Sequence, residues 1–251
     1  MFSSFFNVIL YQPIFNVFVW LYNVIPGHDT GLVILLITIL IRLVLYPLTS
    51  FSIKAQKSMQ DLQPKLEAIK KQYAGDTQKQ TQATMELYKN NKVNPFASCL
   101  PLLIQLPILI ALYMVMRDGL ASTNLDKALY SFVANPGQLN PVSFGFLNLA
   151  KSNVILAVLA GAAQFWQAKL MITKQPPKNA GSGAKDESMT AIMNKQMLYF
   201  MPIMTVVIGF SLPAGLTLYW FFSTILTGLQ QVFVFKKKNQ PSDIIEGEVV
   251  K

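Results

Sequence analysis

Arg42 is the only charged residue in the apolar run 30–48, and its chemistry needs an explanation. A charge near the middle of a spanning helix costs on the order of 2.5–3.5 kcal/mol, so something must offset it. Snorkelling toward headgroups is one answer. Other polar residues point to a second. Thr38 lies one turn away on the same helical face, and Gln164 and Gln167 share a face at the i,i+3 spacing. Gln105, Thr205, Thr227, Gln230 and Gln231 interrupt the other apolar runs. Each would cost free energy if left unpaired in hydrocarbon, and a shared hydrated cavity would satisfy them together. Interhelical hydrogen bonds are the alternative for any one of them. The five apolar runs contain no Asp or Glu, so Arg42 is expected to be an unneutralised cation, available to an incoming negative charge. That chemistry is attraction, not catalysis. No Ser/His/Asp set, metal-ligand spacing or glycine-rich phosphate loop occurs, and the lone Cys99 and His28 are read as structural. No enzyme activity, cofactor or metal is expected.

The elements that must position these groups follow from composition. Of 251 residues, 52% are hydrophobic and 13% charged, about half the charge content typical of soluble domains. Disorder is excluded by the same figures. One cysteine excludes an intramolecular disulfide and a cysteine-based zinc site. A membrane protein remains, with five spans predicted at 30–48, 96–116, 154–172, 197–212 and 215–235. The last two read as a hairpin (197–235) about Leu212-Pro213-Ala214-Gly215. Residues 2–25, within the segment 1–29, are aromatic-rich but broken by Asn7, Gln12, Pro13, Asn16 and Asn23. They read as an amphipathic helix in the interface, with a sixth span as the alternative.

The net charge of +9 is unevenly placed. Residues 1–29 hold no Lys or Arg, whereas 49–95 hold Lys54, Lys57, Lys65, Lys70, Lys71, Lys79, Lys89 and Lys92. The loop 117–153 holds Arg117, Lys127 and Lys151. Lys169, Lys174, Lys178, Lys185 and Lys195 cluster in and beside 173–196, and the tail 236–251 opens with three more lysines. The positive-inside rule therefore predicts an external N-terminus and a cytoplasmic C-terminus. Counted back from Leu48, Arg42 would lie roughly 9 Å inside the cytoplasmic boundary.

Within 49–95, Met59, Leu62, Leu66, Ile69 and Tyr73 form one apolar stripe, and Ala74-Gly75-Asp76 breaks it. The segment reads as a helical hairpin projecting into water, for which a topological charge anchor is a sufficient role. Residues 175–184 read as a flexible linker. Met189, Met193, Met197, Met201 and Met204 lie along one face, fit either for adaptable apolar contact or for ordinary packing.

Two runs carry a family resemblance. Lys92-Val93-Asn94-Pro95-Phe96, followed by Cys99-Leu100-Pro101-Leu102-Leu103-Ile104-Gln105-Leu106-Pro107-Ile108, closely resembles the second span of YidC-type membrane protein insertases. Met201-Pro202-Ile203-Met204 and Leu212-Pro213-Ala214-Gly215-Leu216-Thr217-Leu218-Tyr219-Trp220 resemble that family's final hairpin. Arg42, before Tyr46-Pro47-Leu48, matches its groove arginine, and Phe146-Leu147-Asn148-Leu149-Ala150 resembles its outer loop. The resemblance implies an all-α, five-span membrane protein of the bacterial cell membrane. It also implies a positively charged groove open to the cytoplasm and to lipid, which inserts and helps fold nascent membrane proteins. In the groove, Arg42 would attract substrate, with Gln164 or Gln167 and Trp220 contributing. Residues 50–92 would capture substrate early.

The partners expected are nascent chains with acidic N-terminal tails, the bilayer, the Sec translocon, the ribosome and the signal-recognition-particle receptor; no specific nucleic acid is expected. The large outer domain and extra N-terminal span of the Gram-negative form are not expected in this protein. No cysteine stands near the N-terminus for a lipoprotein anchor, and the tail after Lys238 is short for ribosome tethering. A minimal bacterial version is therefore expected. From the residues alone, a small-anion transporter using Arg42 remains the rival, with a structural assembly factor as a third reading.

Overall fold

The computed structural model describes residues 2–94, 97, 100–121, 125–126, 128–171 and 196–238. The linker 175–184, the lysines at 174, 178, 185 and 195, Cys99, Met189, Met193 and the tail beyond 238 lie outside them.

Helix α1 starts at Phe2–Phe6, passes a π-helical turn at Asn7–Tyr11 and continues as Gln12–Val24. Asp29 then caps α2 (Thr30–Val44), accepting from the amides of Gly31 at 2.8 Å and Leu32 at 3.1 Å. The chain turns at Leu45 into α3 (Tyr46–Asp61), bent 68° from α2. Pro47 in the first turn of α3 explains the break, because it lacks an amide donor and restricts the residue before it. The predicted span 30–48 is therefore bent: its straight part stops at Val44, and Arg42 sits in the last turn of α2.

Pro64 opens α4 (Gln63–Gln72), and Asp76 caps α5 (Thr77–Asn90) through the Lys79 amide at 3.0 Å. The two form a hairpin around Gly75, whose φ of +90° a side chain would strain. The apolar stripe is covered: Leu62 is buried, and Met59, Leu66, Ile69 and Tyr73 are half-buried.

Helix α6 (Leu100–Ala121) carries Pro107 internally and runs past the predicted end at 116. It takes Arg117 and Asp118 into its last turns, where they pair with each other at 2.8 Å. A two-stranded antiparallel hairpin, β1 (Val142–Ser143) and β2 (Leu147–Asn148), pairs Ser143 with Leu147. Helix α7 is Val154–Met171. Helix α8 begins with a π-helical turn, Gln196–Phe200, and continues as Met201–Ser211, and α9 (Ala214–Lys238) follows across Pro213.

Helix α9 is the hub, packing on α2, α3, α6 and α7, while α8 packs on α7. Small residues permit the last contact. A Cβ at Gly161 would run into Val206, and one at Gly209 would stand 2.9 Å from Ala157 Cβ. One end of the bundle is tied together by backbone bonds: Ala214 to Lys151 at 2.8 Å, Gly215 to Leu149 at 3.0 Å. Phe15, Phe18, Ile34, Leu112, Val115, Leu139 and Leu149 fill that end with a continuous apolar core. The opposite end carries α3, α4, α5 and the inner turns of α9.

Candidate functional site

Arg42 emerges where α2, α6 and α9 meet, on the far side of Ile34 and Ile37 from the bundle end filled by the apolar core. Its Nε donates to Ser223 Oγ at 3.1 Å, and its Nη2 donates to Ser223 Oγ and, at 3.4 Å, to Gln105 Oε1. Gln105 in turn donates from Nε2 to the Tyr219 hydroxyl at 2.7 Å. Tyr219 and Ser223 stand one turn apart on α9 and are both almost fully buried. Every partner in this chain is neutral, and among the described residues no carboxylate pairs with Arg42. Arg42 is half-buried as a residue, and its Nη1 has no protein acceptor among the described residues. Two N–H bonds of an intact positive charge are therefore free to meet water or an anion.

The other sequence-derived candidates divide by how they are satisfied. Thr38 is buried and donates to the Ile34 carbonyl at 2.5 Å, Thr205 to Met201 at 3.0 Å, and Thr227 to the Ser223 carbonyl at 2.7 Å. Each hydroxyl is satisfied inside its own helix, so none requires a cavity. Gln164 and Gln167 are half-buried on α7, and Trp220 is half-buried on α9 beside Tyr219. Trp166, between the two glutamines, lays its ring against Gly228 of α9, so close that a Cβ there would collide with it. Gln230 belongs elsewhere, at the joint between α9 and α3. Gln231 is buried, with its amide oxygen unpartnered.

The structure therefore gathers Arg42 and Gln105 from the expected set and adds Ser223 and Tyr219, which the sequence reading missed. A signal for them existed: Tyr219, Ser223 and Thr227 recur every four residues and so share one face of α9.

Among the described residues, no group of His, Cys, Asp or Glu is arranged to hold a metal ion. Among the described residues, four helices, Ser4–Val24, Leu103–Leu120, Val154–Met171 and Ala214–Lys236, are long and apolar enough to cross a membrane, and the bent pair α2–α3 makes a fifth if it is taken as one span. The shorter apolar helix Gln196–Ser211 falls outside that count.

Residues 20–241 match the family model described as 60Kd inner membrane protein. The chain is 40% identical to the membrane protein insertase YidC of Fusobacterium nucleatum, over 82% of this chain and 86% of that protein. Identity to YidC of Oceanobacillus iheyensis is 36%, over 86% and 80% of the respective chains. To YidC of Aeromonas salmonicida it is 32% over 87% of this chain but only 35% of that longer protein. A crystal structure described as active YidC insertase with the first transmembrane domain resolved superposes with a TM-score of 0.58 at 28% identity, covering 87% of this chain and 45% of the other.

Proposed function

Because this chain belongs to the 60Kd inner membrane protein family, we infer that it does what its YidC relatives do and inserts membrane proteins into the bilayer. Its substrates are then nascent membrane proteins, and Arg42 is the residue that receives them. One observation carries this reading: a cation held at a junction of three helices by neutral partners, with donor capacity to spare. An acidic N-terminal tail entering from the lysine-rich side meets that charge before it meets hydrocarbon. The following apolar segment then leaves sideways into lipid, where its burial drives insertion. A membrane potential negative inside favours outward movement of the tail by about 2.3 kcal/mol per charge per 100 mV, so this chain itself needs no nucleotide.

The geometry of the two ends supports the same direction. The apolar core fills the end that bears the 125–153 loop, and the lysine-rich hairpin stands at the other, which the positive-inside rule assigns to the cytoplasm. Arg42 lies on the hairpin side of that core, so water and substrate would reach it from the cytoplasm. Gln164, Gln167 and Trp220 would line the lateral path, while Thr38 and Thr227 shape helix backbones rather than contact substrate. The Sec translocon, the ribosome and the signal-recognition-particle receptor would be reached through α4 and α5, which expose charged faces and bury no residue.

The test is reconstitution with a single-span substrate bearing an acidic tail. Arg42→Ala is expected to lower the insertion rate at least tenfold, with Arg42→Lys retaining more. Wild-type rates for Arg42→Ala would remove the electrostatic part of the mechanism. Anion flux measured in the same vesicles separates this reading from a small-anion transporter.

A further inference from the structure

The α2–α3 bend has a second attachment that the Arg42 chain does not explain. Gln230, buried on α9, turns its amide nitrogen toward Ser50 Oγ at 2.8 Å, Thr49 Oγ1 at 2.9 Å and the Tyr46 carbonyl at 3.2 Å. Its amide oxygen is 3.1 Å from the same Thr49 hydroxyl. Every one of these partners lies in the first turns of α3, just past the bend at Leu45. Thr49 and Gln230 are each seven residues beyond Arg42 and Ser223, so the two contacts repeat in register, two turns apart. The upper contact is made before the bend and the lower one after it. Further along, Lys57 of α3 sits 5.6 Å over the ring of Phe235, which keeps α3 against the end of α9.

This matters because, among the described residues, α4 and α5 make few contacts with the rest of the bundle. They pack on each other and join the chain through α3, and α3 packs on α9 and, less extensively, on α6. Neither α4 nor α5 contains a buried residue. The angle at which the hairpin leaves the bundle is consequently set where α3 meets α9. A proline-started bend bridged by a buried amide is a joint with a polar pin close to its hinge.

We propose that Gln230 is a positioning residue that pins the α2–α3 bend through Tyr46, Thr49 and Ser50, and so fixes the pose of the α4–α5 hairpin relative to the Arg42 site. Removing the amide leaves the joint foldable, because Thr49 Oγ1 also has the Leu45 carbonyl of its own helix at 2.9 Å. What is lost is the link between helices. The hairpin then swings, and a substrate caught on it is no longer delivered to one place. The structural part of this inference stands independently of the insertase reading.

The experiment is a pair of spin labels on the full chain in vesicles, at Lys79→Cys on α5 and at Val158→Cys on the exposed face of α7, in a Cys99→Ser background. The wild type is expected to give one narrow distance distribution. Gln230→Met and Gln230→Leu, which keep the volume and lose the amide, are expected to broaden it and shift its mean. Gln231→Leu, at the neighbouring position, should leave it unchanged. An unaltered distribution in both Gln230 variants would overturn the proposal. So would equal broadening by Gln231→Leu, since the cause would then be looser packing of α9. In insertion assays the Gln230 variants should slow neutral-tailed and acidic-tailed substrates alike by several-fold, whereas Arg42→Ala should slow chiefly the acidic ones. If Arg42→Ala has no effect while the Gln230 distances still broaden, the electrostatic reading fails and the pin survives.

Discussion

At the scale of single residues, the decisive fact about Arg42 is the kind of partner it has. A carboxylate within reach would have closed the site as an ion pair, whereas a hydroxyl and an amide orient the guanidinium and leave its charge intact. Ser223 is the principal orienting group, because it engages both Nε and Nη2. Ser223→Ala is therefore expected to slow insertion of acidic-tailed substrates by up to about tenfold, the equivalent of one charge-assisted hydrogen bond. The dependence on tail charge should persist in that variant, since the cation remains. Insertion rates across a series of tail charges would check both statements. Arg42 was legible in the sequence because an isolated charge in an apolar run has no bland explanation of comparable weight. Ser223 was not, because a serine in a membrane helix is ordinary, and only the fold brings it to the guanidinium.

At the scale of elements, two contacts carry their own expectations. Asp29 fastens the start of α2 to the β-hairpin: besides its capping bonds it accepts from the Phe144 amide at 2.7 Å and from the Ser143 hydroxyl. Partial burial works to raise its pKa. The hydrogen bonds from Ser143, Phe144, Leu32 and Gly31 outweigh that and hold the carboxyl below its ordinary value. A folded pKa below the unfolded one, about 3.9, contributes stability at neutral pH that is lost as pH falls through the folded value. Asp29→Asn should accordingly lower the melting temperature at pH 7, because an amide cannot accept through both of its polar atoms as the carboxylate does, and the gap to wild type should close on acidification below about pH 4. Thermal unfolding in detergent at the two pH values would show it. On the other side of the bundle, Gly161→Leu forces a side chain between α7 and α8, against Val206 and the Pro202 carbonyl. Overpacking of this kind costs about 1–3 kcal/mol, while Ala162→Leu on the exposed face should cost little by the same unfolding measurement.

At the scale of the whole molecule, α1 and the two ends of the bundle define the topology. Ser4–Val24 is long and apolar enough to cross a bilayer. Yet Tyr11 bonds to Asp118 at 2.9 Å, Asn16 to Ala128 at 2.9 Å and Asn23 to Ala134 at 2.7 Å, all at the loop-bearing end. Those contacts run along roughly 18 Å of helix, whereas a crossing helix would touch that end only at its tip. The interfacial placement is the reading these contacts favour. It predicts that Ser4→Cys, in a Cys99→Ser background, reacts with an impermeant maleimide added to the outside of intact cells. Labelling only after permeabilisation would make α1 a span.

Composition and lysine placement determined, without any structure, that this is a multi-pass helical membrane protein with an unneutralised arginine. Hydrophobic period and charge asymmetry are local properties of the chain, and they survive without knowledge of which helices touch. Where helices end was less legible: the break at Leu45 goes with a proline, and the run of α6 to Ala121 carries Asp118 to a Tyr11 contact across more than a hundred residues. The tertiary structure alone decided which polar groups meet. Seven residues separate Ser223 from Gln230 on one helix, yet one holds the cation and the other pins the α2–α3 bend. The reason is physical: a buried polar side chain is satisfied by whatever stands opposite, and what stands opposite is set by packing between segments far apart in sequence.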